Sequence, residues 1–359
     1  MSLDRHLSLG FSFHPIRSIP SADFAQAIAQ GKPLYNIETL IQYVENDLEL
    51  LDNVKPDLVV GDFRLSLAVS APLRRIPYAA VVNAYWSPYA DIDYPVPDLP
   101  MTRFLGVRLA QKLFNIIRPV AFAMHARPLN RVRCYYGLSP LGSDLRNIYT
   151  WGDYTLYADL PELVPTRPLP ANHRYLGPPL WSVHAPLPDW WHYLSDNKPV
   201  ILMIMGSSGH AELLPIALSA LSELPITVIA ATAGKIELPN VPANAFVVDY
   251  LPLDLVARRA SLIICNGGSL TTCQAIASGV PILGICSNMD QLLNMIAIER
   301  LGAGLCLRAA SIKPAQLKEA VLTVLKTPTY ARAAEQARKQ FRQVDTGQRF
   351  RAFISEVLG

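Results

Sequence analysis

The sequence predicts an α/β protein built as two Rossmann-like halves facing across a cleft, and three observations predict it. Apolar runs of four to six residues alternate with helical patterns from 200 to 325. Such alternation marks βα repeats and a parallel sheet buried on both faces. The first half repeats the alternation less regularly, in DLVVGD (57–62) and PYAAVVN (77–83) around a helical stretch. Between the halves, GPPLWSVHAPLPDWWHYLSDNKP (177–199) carries five prolines and no periodicity, as a linker does. The expected organisation is a domain over 1–180, a linker over 181–198 and a second domain over 199–345. A final helix over 346–359 is expected to pack back on the first domain.

The elements follow in chain order. GFSFHPI (10–16) has the alternation of a strand, with His14 at its end. Residues 37–52 place Ile37, Leu40, Ile41, Val44, Leu48 and Leu51 on one helical face. Strand 57–62 follows Pro56, then a helix over 65–75 and strand 77–83. WSPYADIDYPVPDLP (86–100) reads as a loop. Its aromatics, with Tyr85, either line an apolar pocket or cover the sheet. A helical region spans 101–136 with breaks expected near Pro119 and Pro128. The second half reads as strands at 200–205, 226–231, 245–250, 262–265, 280–285 and 304–307. Helices fall at 211–222, 253–259, 269–278, 290–300 and 314–325.

Composition narrows the functional classes. The chain has 359 residues, 51% of them hydrophobic and 17% charged, with a formal charge of only +3. That balance gives no argument for nucleic acid as a partner. Five cysteines show no CxxC pair and no His spacing that suits zinc, so no metal site is expected. Cys265, Cys286 and Cys306 lie in apolar runs and read as buried thiols of a reducing compartment. No leader is recognised at the start and no apolar run reaches membrane-spanning length, so a cytoplasmic protein is expected.

Two loops carry the chemistry. GSSG (206–209) and NGGSLTT (266–272) each follow a strand and open a helix. Helix starts leave unpaired N–H groups and a partial positive charge, and glycine lets an oxyanion come close to the backbone. The plain alternative for either is a tight strand-to-helix turn. Neither matches GxxxxGK[ST] or GxGxxG.

CNGGSLTTCQAIASGVPILGICSNMDQLLNM (265–295) resembles the nucleotide-sugar half of a GT-B glycosyltransferase of the UDP-glycosyltransferase-like and macrolide-glycosyltransferase-like group. The ordered features are GG, TT, GVP, DQ and Asn294. PDLVVGDFRLSLAVSAPLRRIPYAAVVNAYW (56–86) resembles the acceptor-side domain of that family. The resemblance implies a metal-independent, inverting transfer of a sugar from a UDP- or dTDP-sugar to a hydroxyl of a small lipophilic acceptor, with no cofactor. It places Ser207, Ser208, Gly267, Gly268 and Thr271 around the diphosphate, and Tyr250 and Leu251 at the base. Gln274 falls where a glutamate holds the ribose, and Asp290 and Gln291 at the donor sugar. Asn266 replaces the usual His, Leu270 a small or polar residue, and Gln274 the Glu. These exchanges favour weaker or altered nucleotide binding, since charged hydrogen bonds are the stronger kind.

The resemblance also implies a base His on a loop after the family's first strand. The chain is expected to start at the equivalent of the third strand, so that the first domain is incomplete. Asp62 matches the acidic partner of that His; the plain alternative is a helix-capping Asp. His14 is the nearest stand-in, with a half-buried strand end as its plainer reading. A nucleotide-sugar-binding homologue without transfer is the alternative function. Residues 101–150 hold eight basic residues and one acidic one, Asp144. That pattern suits peripheral contact with an anionic membrane or an acidic acceptor; the plain alternative is a solvated helix face.

Overall fold

A computed structural model of the chain describes residues 11–182, 185–195, 197–205 and 211–359. GSSG, with Ser207 and Ser208, lies outside the described residues.

The first unit begins with helices α1 (Ser21–Gln30) and α2 (Ile37–Val54). The periodic face read from the sequence forms α2, with Leu40, Val44 and Leu51 buried and Asn36 capping the start by accepting from the Thr39 amide. Then come β1 (Val59–Asp62), α3 (Leu67–Arg74), β2 (Tyr78–Val82), α4 (Pro100–Tyr135), α5 (Leu145–Tyr149), β3 (Tyr154–Tyr157) and β4 (His173–Tyr175). The strands form one parallel sheet in the order β1-β2-β3-β4. β3, β4 and α5 were not legible in the sequence: β4 is three residues long and none of them is fully buried.

Two sequence expectations fail here. Residues 11–20 form no strand, and Phe11, Phe13, Ile16 and His14 are exposed. A period-two pattern needs an edge to pair with and a core to face, and this segment has neither among the described residues. His14 is therefore not a strand-end residue. Helix α4 runs through Pro119 and Pro128, and its only non-helical backbone is at Gly106, where φ is +71°. The inward stripe of Ala110, Phe114, Phe122, Ala126, Leu129 and Val132 is buried, and its packing outweighs the hydrogen bonds the prolines forgo.

The second unit follows the sequence reading closely: β5 (Val200–Ile204), α6 (Leu213–Leu221), β6 (Thr227–Ala231), β7 (Ala245–Val248), α7 (Leu253–Val256), β8 (Leu262–Cys265), α8 (Ser269–Ser278), β9 (Ile282–Cys286), α9 (Met289–Arg300), β10 (Gly304–Arg308) and α10 (Pro314–Lys326). Its six parallel strands run β10-β9-β8-β5-β6-β7. The order reverses between β5 and β8, which makes the carboxyl ends of those two strands the switch point where ligands of such sheets bind. β5, β6, β8 and β9 are almost wholly buried between helix layers, α6 and α10 on one face and α8 and α9 on the other.

Two more helices finish the chain, α11 (Pro328–Arg342) and α12 (Thr346–Leu358). α12 returns to the first sheet, where Phe353 is buried against Ala79, Leu156 and Leu176. Arg174 pairs with Glu356 at 2.6 Å on that surface. Among the described residues, no helix is long and apolar enough to cross a membrane.

Candidate active site

The loop after β8 sits at the switch point. Gly267 adopts φ +82°, a conformation glycine takes without strain. There is also no room for a side chain: a Cβ would lie 2.5 Å from Cys286 Sγ and 2.9 Å from Met295 Cγ. Gly268 is the N-cap of α8, so the amides of Ser269, Leu270 and Thr271 have no partner within the helix and point toward the strand ends. Asn266 is buried and its Oδ1 accepts from the Gly268 amide at 3.3 Å. Thr271 is partly buried, whereas Leu270 is exposed. Asn294, fully buried on α9, donates its Nδ2 to the Gly267 carbonyl at 2.8 Å and to Thr272 Oγ1 at 2.7 Å. The family-type Asn thus holds the glycine loop against the next helix.

The other residues that the resemblance assigns to the donor have these surroundings. Gln274 is buried and gives its Nε2 to the Trp181 carbonyl of the linker, 2.9 Å away. Tyr250 is exposed, its hydroxyl bonded to the Ala233 carbonyl, and Leu251 beside it is buried. Gln291 is buried in a capping box with Asn288: its Oε1 accepts from the Ser287 amide at 2.9 Å. Its Nε2 is buried with no hydrogen-bond partner among the described residues. The Trp181 contact was missed in the sequence, because nothing in a Pro-rich linker marks which residue will dock.

Asp290 lies between the two units. Trp86 Nε1, from the first unit, donates to its Oδ1 at 2.9 Å. Burial raises the Asp290 carboxyl above its ordinary value, the Trp86 hydrogen bond opposes that, and the charge of Asp62 adds to it. Further ties run along the same loop. Asp98 accepts from Arg308 at 2.9 Å and from the Ala310 amide at 3.1 Å, and Arg300 donates to the Asp91 carbonyl at 2.8 Å. The loop read as pocket lining or sheet cover is therefore a bridge. Tyr85, Trp86 and Tyr94 are buried, and Trp86 turns the N–H edge of its indole to Asp290.

Two buried groups fix that bridge. Asp159 accepts from the Ala84 amide at 2.5 Å and from Asn83 Nδ2 at 3.3 Å. Ser87 Oγ and the Tyr157 hydroxyl lie 2.7 Å apart, and Tyr157 bonds His173 Nδ1 at 2.7 Å. Burial pushes the Asp159 carboxyl up to about 6. An unfolded Asp titrates at about 3.9, so the folded chain holds this proton more tightly. The stabilising contribution is full below that value and is lost as pH rises through about 6. Asp159→Asn should therefore gain stability relative to the unaltered chain between about pH 4 and about pH 7, seen by melting both proteins across that range.

Asp62 ends β1 and is exposed. Displaced water raises its carboxyl above the ordinary range, although solvent still reaches the side chain. It caps no helix: α3 starts at Leu67 with Ser66 at its N-cap. Phe63 beside it takes φ +51°, held by edge packing on Tyr149 at 4.7 Å, and Tyr149 in turn packs on Trp86 at 5.0 Å. His14 is exposed on the irregular segment 11–20, so the described residues give Asp62 no strand-borne His partner.

Comparison with known proteins agrees with this architecture. Residues 216–345 match the family "Erythromycin biosynthesis protein CIII-like, C-terminal domain". The chain is 53% identical over 333 residues to a PGL/p-HBAD biosynthesis glycosyltransferase of Mycobacterium tuberculosis, covering 93% of this chain and 78% of that protein. It is 52% identical over 326 residues to a PGL/p-HBAD biosynthesis rhamnosyltransferase of Mycobacterium bovis, covering 91% and 72%. A Mycobacterium bovis relative described as an inactive PGL/p-HBAD biosynthesis glycosyltransferase is 54% identical over 213 residues, covering 59% and 58%. In fold, the chain matches spinosyn rhamnosyltransferase SpnG complexed with thymidine diphosphate, at TM-score 0.66 and 20% identity over 93% of this chain and 82% of that one. With two parallel-sheet units and this degree of identity, the chain belongs to the GT-B-fold glycosyltransferase family that includes the mycobacterial PGL/p-HBAD biosynthesis glycosyltransferases.

Proposed function

We propose that the chain moves a sugar from a dTDP-sugar to a hydroxyl of a small lipophilic acceptor, inverting the anomeric carbon and using no metal. The observation that carries the donor side is the Gly267–Gly268 loop at the switch point, opening α8. Its backbone amides would meet the diphosphate charge as the sugar departs. The thymidine diphosphate of the SpnG complex favours a thymidine nucleotide, and the rhamnosyltransferase relative favours a deoxyhexose. Asp290 and the free Nε2 of Gln291 would hold sugar hydroxyls, with Trp86 orienting the carboxylate. Tyr250, Leu251 and Gln274 would flank the nucleoside, Ser207 and Ser208 the phosphates, and Asp62 the acceptor.

Transfer is tested by incubating the chain with dTDP-rhamnose and a phenolic acceptor and detecting glycoside and free dTDP by mass spectrometry. Asp290→Ala is expected to weaken dTDP-sugar binding about 10-fold or more while leaving free dTDP nearly unchanged, measured by calorimetry. Equal losses for both ligands would contradict a sugar contact. Binding without turnover would instead support a nucleotide-sugar-binding homologue, the reading favoured by Asn266 at the usual His position and by the relative described as inactive.

A further inference from the structure

Helix α4 carries two opposed faces. The inward one is the buried stripe already described. The outward one presents Leu109, Leu113, Ile116, Ile117, Val120 and Met124, all exposed, with Ile116 at 76% and Val120 at 73%. At 100° per residue these six fall within an arc of about 100°, and from first to last they span about 22 Å of axis. Phe104, ahead of the Gly106 bend, is 87% exposed and continues the apolar surface. Isolated surface hydrophobics need no explanation, but a continuous strip of this length marks an interaction surface.

Charge says what covers it. From 99 to 143 the chain has no acidic residue. Of the basic ones, Arg133 is buried, bonding the carbonyls of Ser139 and Ala68, and Arg118 lies over the Tyr94 ring. Arg103, Arg108, Lys112, Arg127 and Arg131 stay exposed, in no ion pair among the described residues. Lys112 and Arg108 flank the apolar strip on one side, and Arg127 and Arg131 prolong it along the axis, by the same 100° spacing. A two-fold contact with a second copy would set this cationic face against itself. A surface that is apolar within and anionic at its boundary answers both features, as for helices that lie in a membrane interface.

We propose that the outward face of α4 docks the protein on an anionic lipid surface, with the apolar strip immersed at the headgroup boundary and the five cations at the phosphates. α4 lies on the membrane and does not span it. The inference is independent of the donor and acceptor chemistry.

The test is flotation of the full chain with phosphatidylcholine vesicles and with mixed phosphatidylglycerol–phosphatidylcholine vesicles. Binding is expected to the anionic vesicles, falling with added salt, and not to the neutral ones. Ile116→Glu/Val120→Glu should lower vesicle affinity about 10-fold or more. Arg108→Ala/Lys112→Ala/Arg127→Ala should lower it about 100-fold. Failure of the unaltered chain to float, or equal flotation of the variants, overturns the proposal. So does a dimer by light scattering that Ile116→Glu/Val120→Glu dissolves, since the face would then belong to a second copy. Should the charged variants misfold, Val120→Trp gives a gain of signal. The extra indole should shift blue on anionic vesicles and be quenched by brominated lipid, and an unchanged spectrum refutes immersion.

Discussion

Gly267→Ala is expected to lower the melting temperature and abolish dTDP binding together, while Gly268→Ala should affect binding alone. At Gly267 a side chain meets two penalties. The left-handed backbone costs an L-residue about 1–2 kcal/mol. The new Cβ would also sit 2.5 Å from Cys286 Sγ and 3.2 Å from the Gln291 carbonyl, overpacking that costs about 1–3 kcal/mol more. Relief requires the loop to move away from α9, which carries the amides of α8 out of position. Gly268 has ordinary backbone angles, φ −69°, and its nearest Cβ contact is 3.4 Å. A methyl group there fits the fold but projects where an anion would approach the helix start. Calorimetric titration with dTDP and thermal melting separate the two. If Gly268→Ala binds dTDP as the unaltered chain does, the diphosphate does not sit on this loop.

Trp86→Ala should be the most damaging change in the first unit, by about 3–5 kcal/mol for a buried aromatic. The indole is 8% exposed and packs edge-on against Tyr149 and beside Tyr94. Its loss also removes the larger of the two hydrogen bonds that oppose the rise caused by burial of Asp290, the other coming from Tyr85, so the carboxyl should protonate at higher pH. Trp86→Phe keeps most of the packing and removes only the N–H donor, and its stability loss should be nearer 1–3 kcal/mol. Both variants should bind free dTDP almost normally, because the α8 loop is untouched. Both should transfer sugar at least about 10-fold more slowly if the carboxylate holds the donor sugar. A Phe variant with unaltered transfer would make Trp86 a packing residue only.

The second unit was legible nearly residue by residue, and the reason is local. A buried parallel strand reads as an apolar run such as VILMI, and the turns between runs carry glycines and prolines, as in Gly267–Gly268 and Gly279–Pro281. The family resemblance rested mainly on the same unit, in residues 265–295, with 56–86 of the first half beside it. Short or partly exposed elements lack that signal, so His173–Tyr175 passed unread. GFSFHPI carried the signal without a sheet edge to receive it. The roles of Asn294 and Gln291 were half legible: their place in the motif was plain, but not that one pins the Gly267 carbonyl and the other caps α9.

By itself the sequence determined the fold class, the βα order of the second unit, and the glycine loop that opens α8, because periodicity and turn chemistry act within a few residues. Tertiary structure alone decided that Trp86 meets Asp290 across 204 positions of sequence. It also decided that Asp98 clasps Arg308, that α12 buries Phe353 on the first sheet, and that one face of α4 stays bare. Such contacts join residues with no local pattern in common. They depend on how two sheets are held together, and no window of sequence records that.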